Sequence, residues 1–246
     1  MTFADHFSNV AASYATYRPR YPEALVELLV AKSPGTSLAW DAGCGNGQLS
    51  VALARHFAQV IATDPARAQI DAAEANARVE YRCERAEQST LAAGSADLAV
   101  AAQAAHWFDW PRYIAEVARV TRPGALAALV GYGGLSVDGA AGEVIGHYYK
   151  VTTATYWPKG REHVDNFYRD LVWPWPEVAA PGMSMTAHWT REELLGYLGT
   201  WSATQRLTAA VGPAPYREVC EAVAARWPSA ERRAVTWPLA IRLARR

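Results

Sequence analysis

Residues 38–64 constrain this chain more tightly than any other stretch. Leu38-Ala39-Trp40-Asp41-Ala42 is a short apolar run that enters a glycine-rich turn, Gly43-Cys44-Gly45-Asn46-Gly47. Gln48 to Phe57 then carries Leu49, Leu53 and Phe57 at helical spacing, and a second apolar run from Gln59 ends on the carboxylate of Asp64. A strand, a glycine turn, a helix and a second strand form the opening half of a doubly wound α/β sheet. Its ligand crevice lies beyond the carboxyl ends of the first strands.

The rest of the chain continues the alternation. Pro22 to Lys32 predicts an amphipathic helix with Leu25, Leu28 and Leu29 inward, and Pro65 to Asn76 a second with Ile70, Ala73 and Ala77 inward. Val79 to Cys83 reads as a third strand and Glu84 to Gly94 as a polar loop at the crevice. Ala96 to Ala102 is nearly continuous apolar chain, the mark of a central parallel strand. A helix from Trp110 to Thr121 and a fifth strand from Ala125 to Tyr132 follow. After Gly134 the character changes. Asp138 to Tyr156 reads as a helix, Trp157 to Pro181 as irregular chain, and Met183 to Trp189 as a strand. Thr190 and Glu193 form a capping box for a helix through Tyr197, Tyr216 to Trp227 is a further helix, and Ala234 to Ala244 alternates as a last, antiparallel strand.

The chemistry of the glycine turn narrows the ligand. The dinucleotide fingerprint G-x-G-x-x-G is not met: the third glycine, Gly47, comes one position early and Gln48 fills the slot. Asp41 stands just before the glycines, where a carboxylate repels a pyrophosphate but suits an ammonium or a sulfonium. Asp64 sits where a carboxylate accepts the hydroxyls of a ribose.

Asp41-x-Gly43-x-Gly45-x-Gly47 resembles the first motif of class I S-adenosylmethionine-dependent methyltransferases. Tyr17-Arg18-Pro19-x-Tyr21-Pro22, Ala86-Glu87, Gln103-Ala-Ala-His106-Trp107-Phe108-Asp109, Arg122-Pro123-Gly124 and Tyr197-Leu-Gly-Thr-Trp201-Ser202 extend the resemblance to the type 11 superfamily and its trans-aconitate methyltransferase-like branch. The resemblance implies a mostly parallel seven-stranded sheet with its last strand antiparallel and a helical or irregular lid. The whole is expected as a single methyltransferase domain: an N-terminal cap over 1–35, a cofactor-binding core over 36–134, an inserted lid over 135–182, and the C-terminal part of the sheet over 183–246.

It also implies roles. Asp41 and the backbone of Gly43, Cys44, Gly45 and Gly47 would hold the methionine part of S-adenosylmethionine, with Arg18 and Tyr14 on its carboxylate. Asp64 would accept the ribose hydroxyls, Pro65 would lie against the adenine, and Ala86 and Glu87 would sit at the adenine edge. Gln103 would contact the cofactor through its backbone, with His106 and Trp107 near the methyl group. His106 is the candidate catalytic residue, as a base or as a pocket wall. Ala66, where relatives often carry serine, and Arg85, where a small residue is common, depart from the pattern.

Composition excludes more than it assigns. Lys and Arg number 24, as do Asp and Glu, so no global field draws nucleic acid. Cys44, Cys83 and Cys220 match no zinc spacing and suit a reducing compartment. No apolar run reaches membrane-spanning length and the amino terminus has no signal-peptide pattern, so a cytoplasmic protein is expected. The expected partner is a small-molecule methyl acceptor bearing a carboxylate or a hydroxyl; a carboxylate, as the resemblance implies, would suit donors in the lid such as Arg161 or Tyr168. The protein is expected as a monomer or homodimer. Three other readings compete: an NAD-dependent oxidoreductase, disfavoured by Asp41 and Gln48, a cofactor-binding protein without catalysis, and a nucleic-acid methyltransferase, disfavoured by the balanced charge and by Gln103-Ala-Ala-His106 after the fourth strand.

Overall fold

The structure, a computed structural model, describes residues 19–246. In chain order its main elements are α1 (Glu23–Lys32), β1 (Leu38–Ala42), α2 (Gln48–Leu53), β2 (Gln59–Thr63), α3 (Arg67–Asp71), β3 (Val79–Arg82), β4 (Ala96–Ala102), α4 (Trp110–Val120) and β5 (Thr121–Tyr132). Then come β6 (Ser136–Val137), α5 (Ala140–His147), α6 (Arg161–Asp165), β7 (Glu177–Val178), β8 (Ser184–Trp189), α7 (Arg191–Gly199), α8 (Ser202–Val211), α9 (Ala214–Ala224) and β9 (Arg233–Arg245). The chain folds as two bodies, one of residues 20–132, 162–183 and 239–246, the other chiefly of 133–161 and 184–238.

The first body is the expected sheet. Its strand order is β3-β2-β1-β4-β5-β9, with β7 on the far side of β9. β1 to β5 run parallel, and the Leu239–Arg245 half of β9 runs antiparallel to β5. β1 and β4 are neighbours although β2 and β3 follow β1 in sequence, so the strand order reverses between them. That reversal opens the crevice of a doubly wound sheet. β4 is buried along its length, as its continuous apolar run requires. α4 covers one face. Asp109 caps it by accepting from the Arg112 N–H, and Tyr113, Val117 and Val120 lie in one apolar cluster with Trp40, Leu129, Tyr168 and Trp173.

Several boundaries moved. The helix expected over Pro65–Asn76 is only Arg67–Asp71, with Gln69 buried, Ile70 half-buried and Ala77 exposed. The cause is tertiary: the Glu74 N–H bonds the Asn46 carbonyl at 3.2 Å and the Tyr81 hydroxyl bonds the Glu74 carbonyl at 2.8 Å, which pulls the chain out of the helix. In α1, Val26 is buried beside Leu25 and Leu29, and Leu28 is half-buried. Arg122-Pro123-Gly124 lies inside the strand β5.

In the second body β6 and β8 flank the Arg233–Pro238 half of β9. Thr190 and Glu193 form the capping box of α7 as read from the sequence. α8 was not foreseen. Tyr197, Trp201, Trp189 and Trp237 pack edge to face or tilted at centroid distances of 4.9–5.8 Å. The tryptophan enrichment after residue 100 is therefore in large part core. Among the described residues no helix is long and apolar enough to cross a membrane.

Asp97 anchors the amino-terminal end of the first sheet. It is fully buried, accepts the Ser37 and Leu38 N–H groups at 2.8 and 3.1 Å, and faces Arg122 at 3.1 Å. Asp97→Ala is expected to cost about 2–3 kcal/mol in urea unfolding, because two backbone donors and the Arg122 guanidinium lose a charged partner, while cofactor binding at the other end of the strands stays intact.

Candidate active site

The carboxyl ends of β1, β2 and β4 carry the site. Gly43, Gly45 and Gly47 all adopt left-handed backbone, with φ of 71°, 56° and 84°. The Gly43 and Cys44 N–H groups both bond the Thr63 carbonyl, at 2.7 and 3.0 Å, so the turn folds over the end of β2. Two of the glycines are needed for space as well as for φ. A Cβ on Gly47 would fall 2.1 Å from the Tyr81 hydroxyl, and one on Gly43 would fall 2.5 Å from the Ala104 Cβ, beside the Phe108 ring.

Asp64 closes the turn from the next strand. Its Oδ2 accepts the Gly45 N–H at 3.0 Å and its Oδ1 accepts the Ala66 N–H at 2.8 Å. Asp41, one strand over, is buried. Its Oδ2 accepts the Ser50 hydroxyl at 2.6 Å, and its Oδ1 has no hydrogen-bond partner among the described residues. Burial pushes its carboxyl up to about 7, the Ser50 bond opposes this, and the nearby Asp64 charge adds to it. A buried carboxylate oxygen without a partner is costly and uncommon. A cationic ligand centre would satisfy it. Cys44 lies in the same field: burial, then Asp41 and Asp64, hold its thiol far above the usual range, so it is a filler of the turn and not a nucleophile.

The third and fourth crevice loops are fastened to each other. Glu87 accepts the Asp109 N–H at 3.0 Å and pairs with Arg85 at 3.3 Å. Behind them Glu116 accepts both the Ser89 N–H and hydroxyl at 2.7 Å and pairs with Arg119 at 2.6 Å. Burial would raise Glu116, but the bonds from Arg119 and Ser89 outweigh it and bring its carboxyl to about 2. Ala86 is buried between these ties. Pro65 follows Asp64, and the Cys83 thiol contacts its carbonyl.

Gln103 follows β4 directly with φ of 54°. Its N–H bonds the Val130 carbonyl at 2.7 Å, and its side-chain amide pairs with both backbone groups of Tyr132. His106 and Trp107 come next, on a single 3₁₀ turn, with ring centroids 4.8 Å apart. His106 Nδ1 lies 3.1 Å from the Tyr168 hydroxyl. Thus Asp41, at the carboxyl end of β1, and Gly43, Cys44, Gly45, Gly47, Asp64, Pro65, Ala86, Glu87, Gln103, His106 and Trp107, on the loops that leave β1 to β4, all lie at one end of the strands. Tyr14 and Arg18 lie outside the described residues. Sequence reasoning missed Ser50 and Tyr81; Tyr168, expected as a donor to the acceptor, lies against His106. A buried serine in the first turn of α2 was the available signal for Ser50. Nothing local marked Tyr81.

The family of methyltransferase domains matches residues 40–129. A Dictyostelium discoideum protein carrying a methyltransferase name is 32% identical over 81% of this chain and 78% of its own. A solved structure from Anaeromyxobacter dehalogenans, described as a type II methyltransferase, is 43% identical and covers 93% of this chain and 98% of its own, with a TM-score of 0.87. This chain belongs to the class I methyltransferases, the S-adenosylmethionine-dependent enzymes of this sheet order. A Saccharomyces cerevisiae protein named as an S-adenosylmethionine-dependent methyltransferase is 29% identical over 46% of this chain and 42% of its own.

The site residues fit that cofactor on three counts: an unpartnered buried carboxylate for its cationic amine or sulfonium, a left-handed glycine turn that leaves the backbone bare, and a fixed carboxylate at the end of β2. The methyltransferase would bind the methionine part with Asp41 and the turn, and the ribose with Asp64. Asp41 gives this a pH signature. In the folded, unliganded protein it keeps a proton that the unfolded chain loses near the ordinary aspartate range. Stability therefore falls as pH rises from about 4 to about 7, by up to ~4 kcal/mol. Asp41→Asn is expected to remove that slope. Compared with the wild type, the unliganded variant should be more stable near pH 8 and show little gain near pH 4, as read by urea unfolding at both pH values.

Proposed function

We propose that this methyltransferase moves a methyl group from S-adenosylmethionine to an oxygen of a small-molecule acceptor, a carboxylate or a hydroxyl, as in the trans-aconitate methyltransferase-like branch that its loops resemble. The observation that carries the cofactor part is the pairing of a fixed Asp64 with the unpartnered Asp41 oxygen across one glycine turn. When bound, the sulfonium supplies an electrophilic methyl and leaves as a neutral thioether. The protein has to bind, align and keep water out. Holding two reactants in line can be worth ~7–11 kcal/mol of barrier, which leaves little for acid–base chemistry to add when the acceptor is already an anion.

The acceptor end of the site would be formed by His106, Trp107 and the residues beside them. The His106 imidazole and the Tyr168 hydroxyl are polar groups in aromatic surroundings. An imidazole N–H in such a setting suits a carboxylate oxygen, and Trp107 gives an apolar wall to the rest of a small acceptor.

Calorimetry with S-adenosylhomocysteine tests the cofactor half. The wild type is expected to bind, and Asp64→Ala to bind at least ~10-fold more weakly, since charge-assisted bonds are worth about 1.5–3 kcal/mol. No heat from the wild type sinks the reading. Label transferred from methyl-labelled S-adenosylmethionine to a panel of small carboxylic acids and phenols tests the acceptor half. Cofactor binding without transfer to any oxygen would favour a non-catalytic role.

A further inference from the structure

The non-glycine residues of the first body that take left-handed backbone gather in one place. Among the described residues three non-glycine positions have left-handed φ: Gln103 at 54°, Phe167 at 57° and Tyr168 at 55°. Gln103 is far in sequence from the adjacent pair Phe167 and Tyr168, and Gln103 and Tyr168 converge on the end of β5. The Gln103 amide accepts the Tyr132 N–H at 2.8 Å and donates to the Tyr132 carbonyl at 2.9 Å. Gly131, the residue before it, is where the Tyr168 ring rests. A Cβ there would stand 2.5 Å from a ring carbon and 3.2 Å from the Gln103 amide oxygen.

Tyr168 is held on every side. It is fully buried, its N–H bonds the His163 carbonyl at 2.6 Å, and its carbonyl accepts from the Arg242 guanidinium. Its hydroxyl meets Nδ1 of His106 at 3.1 Å, and the two rings lie 6.3 Å apart at 23°. Non-glycine residues persist in such backbone only where their surroundings over-determine them, and they cluster where function needs a group fixed. Here two consecutive residues take it, and the outcome is one hydroxyl set on one imidazole nitrogen.

We propose that Tyr168 is a positioning residue whose hydroxyl donates to Nδ1 of His106, so that the neutral ring is fixed as the Nε2–H tautomer. A phenol hydroxyl is far more acidic than a neutral imidazole N–H, and an imidazole nitrogen lone pair is the better acceptor of the two, so the proton lies on the tyrosine side of the bond. With Nδ1 accepting, the ring proton sits on Nε2 and no lone pair is left to act as a base. His106 is then a hydrogen-bond donor to an anionic acceptor oxygen and not a base for a neutral alcohol. This deepens the methyl-transfer reading and rests on it for the place of His106 beside the acceptor; the tautomer itself stands or falls separately.

The test is long-range nitrogen–proton NMR on protein with nitrogen-labelled histidine, above the titration range of the ring. The His106 signal is assigned by its loss in His106→Gln. The expected result is Nε2 protonated and Nδ1 bare in the wild type, and a mixture of tautomers in Tyr168→Phe, which keeps the ring against Gly131. A wild-type Nδ1 that carries the proton overturns the proposal, and so does a folded Tyr168→Phe with an unchanged single tautomer. If Tyr168→Phe does not fold, the wild-type spectrum decides alone. Failure of S-adenosylhomocysteine to bind, with the tautomer as expected, defeats the methyl-transfer reading and leaves the positioning role supported.

Discussion

The bond from the Gly45 N–H to the Asp64 carboxylate is the interaction on which the site depends. It joins the turn after β1 to the end of β2, and it exists because the two strands pair in parallel with Ala42 opposite Thr63. The same strand end holds the turn twice more, through the Thr63 carbonyl, and holds β1 through the bond from the Trp40 indole to the Thr63 hydroxyl at 3.0 Å. With the turn fastened there, Tyr81 packs on Gly47, Glu74 is drawn to Asn46, and Phe108 lies against Gly43. The loops after β3 and β4 thus find their places relative to a turn that is already fixed.

A rigid polar cradle has an energetic cost, and the structure shows where it falls. Asp41 is buried with one oxygen unsatisfied. On the proposed reading a bound cation would meet that cost, and the energy withheld from folding would serve binding. Glu116 and Glu87 act in the opposite sense. Their carboxylates are fully engaged with Ser89, Arg119, Arg85 and the Asp109 N–H, and they hold the third and fourth crevice loops in register without leaving a charge unpaired. Glu87 is thereby a tie between loops as well as a candidate at the adenine edge.

The residues around Gln103 show a second kind of cost, in backbone strain of order 1–3 kcal/mol for each left-handed non-glycine residue. The fold places these where β4 and β5 end and where residues 162–183 pack into the sheet body. Val164, Tyr168, Leu171 and Trp173 are buried there with Tyr113 and Val117. Strain is tolerated because this cluster gives the strained residues nowhere else to go.

The sequence by itself determined the sheet, its reversal of strand order and the glycine turn, because period, glycine placement and a terminal carboxylate are local signals. It also carried the capping box at Thr190 and the full length of β4. It did not determine where the second helix stops, since Ile70, Ala73 and Ala77 keep helical spacing while Asn46, twenty-odd residues earlier, captures the Glu74 N–H. Nor did it mark Ser50, Tyr81 or Gly131 as parts of one site, or give Tyr168 its partner. Those meetings come from contacts between segments up to 62 residues apart, and only the folded chain brings a hydroxyl at position 168 to an imidazole at 106. Local patterns fix which elements form; which polar atoms meet is decided by how the strands pair and what the core leaves room for.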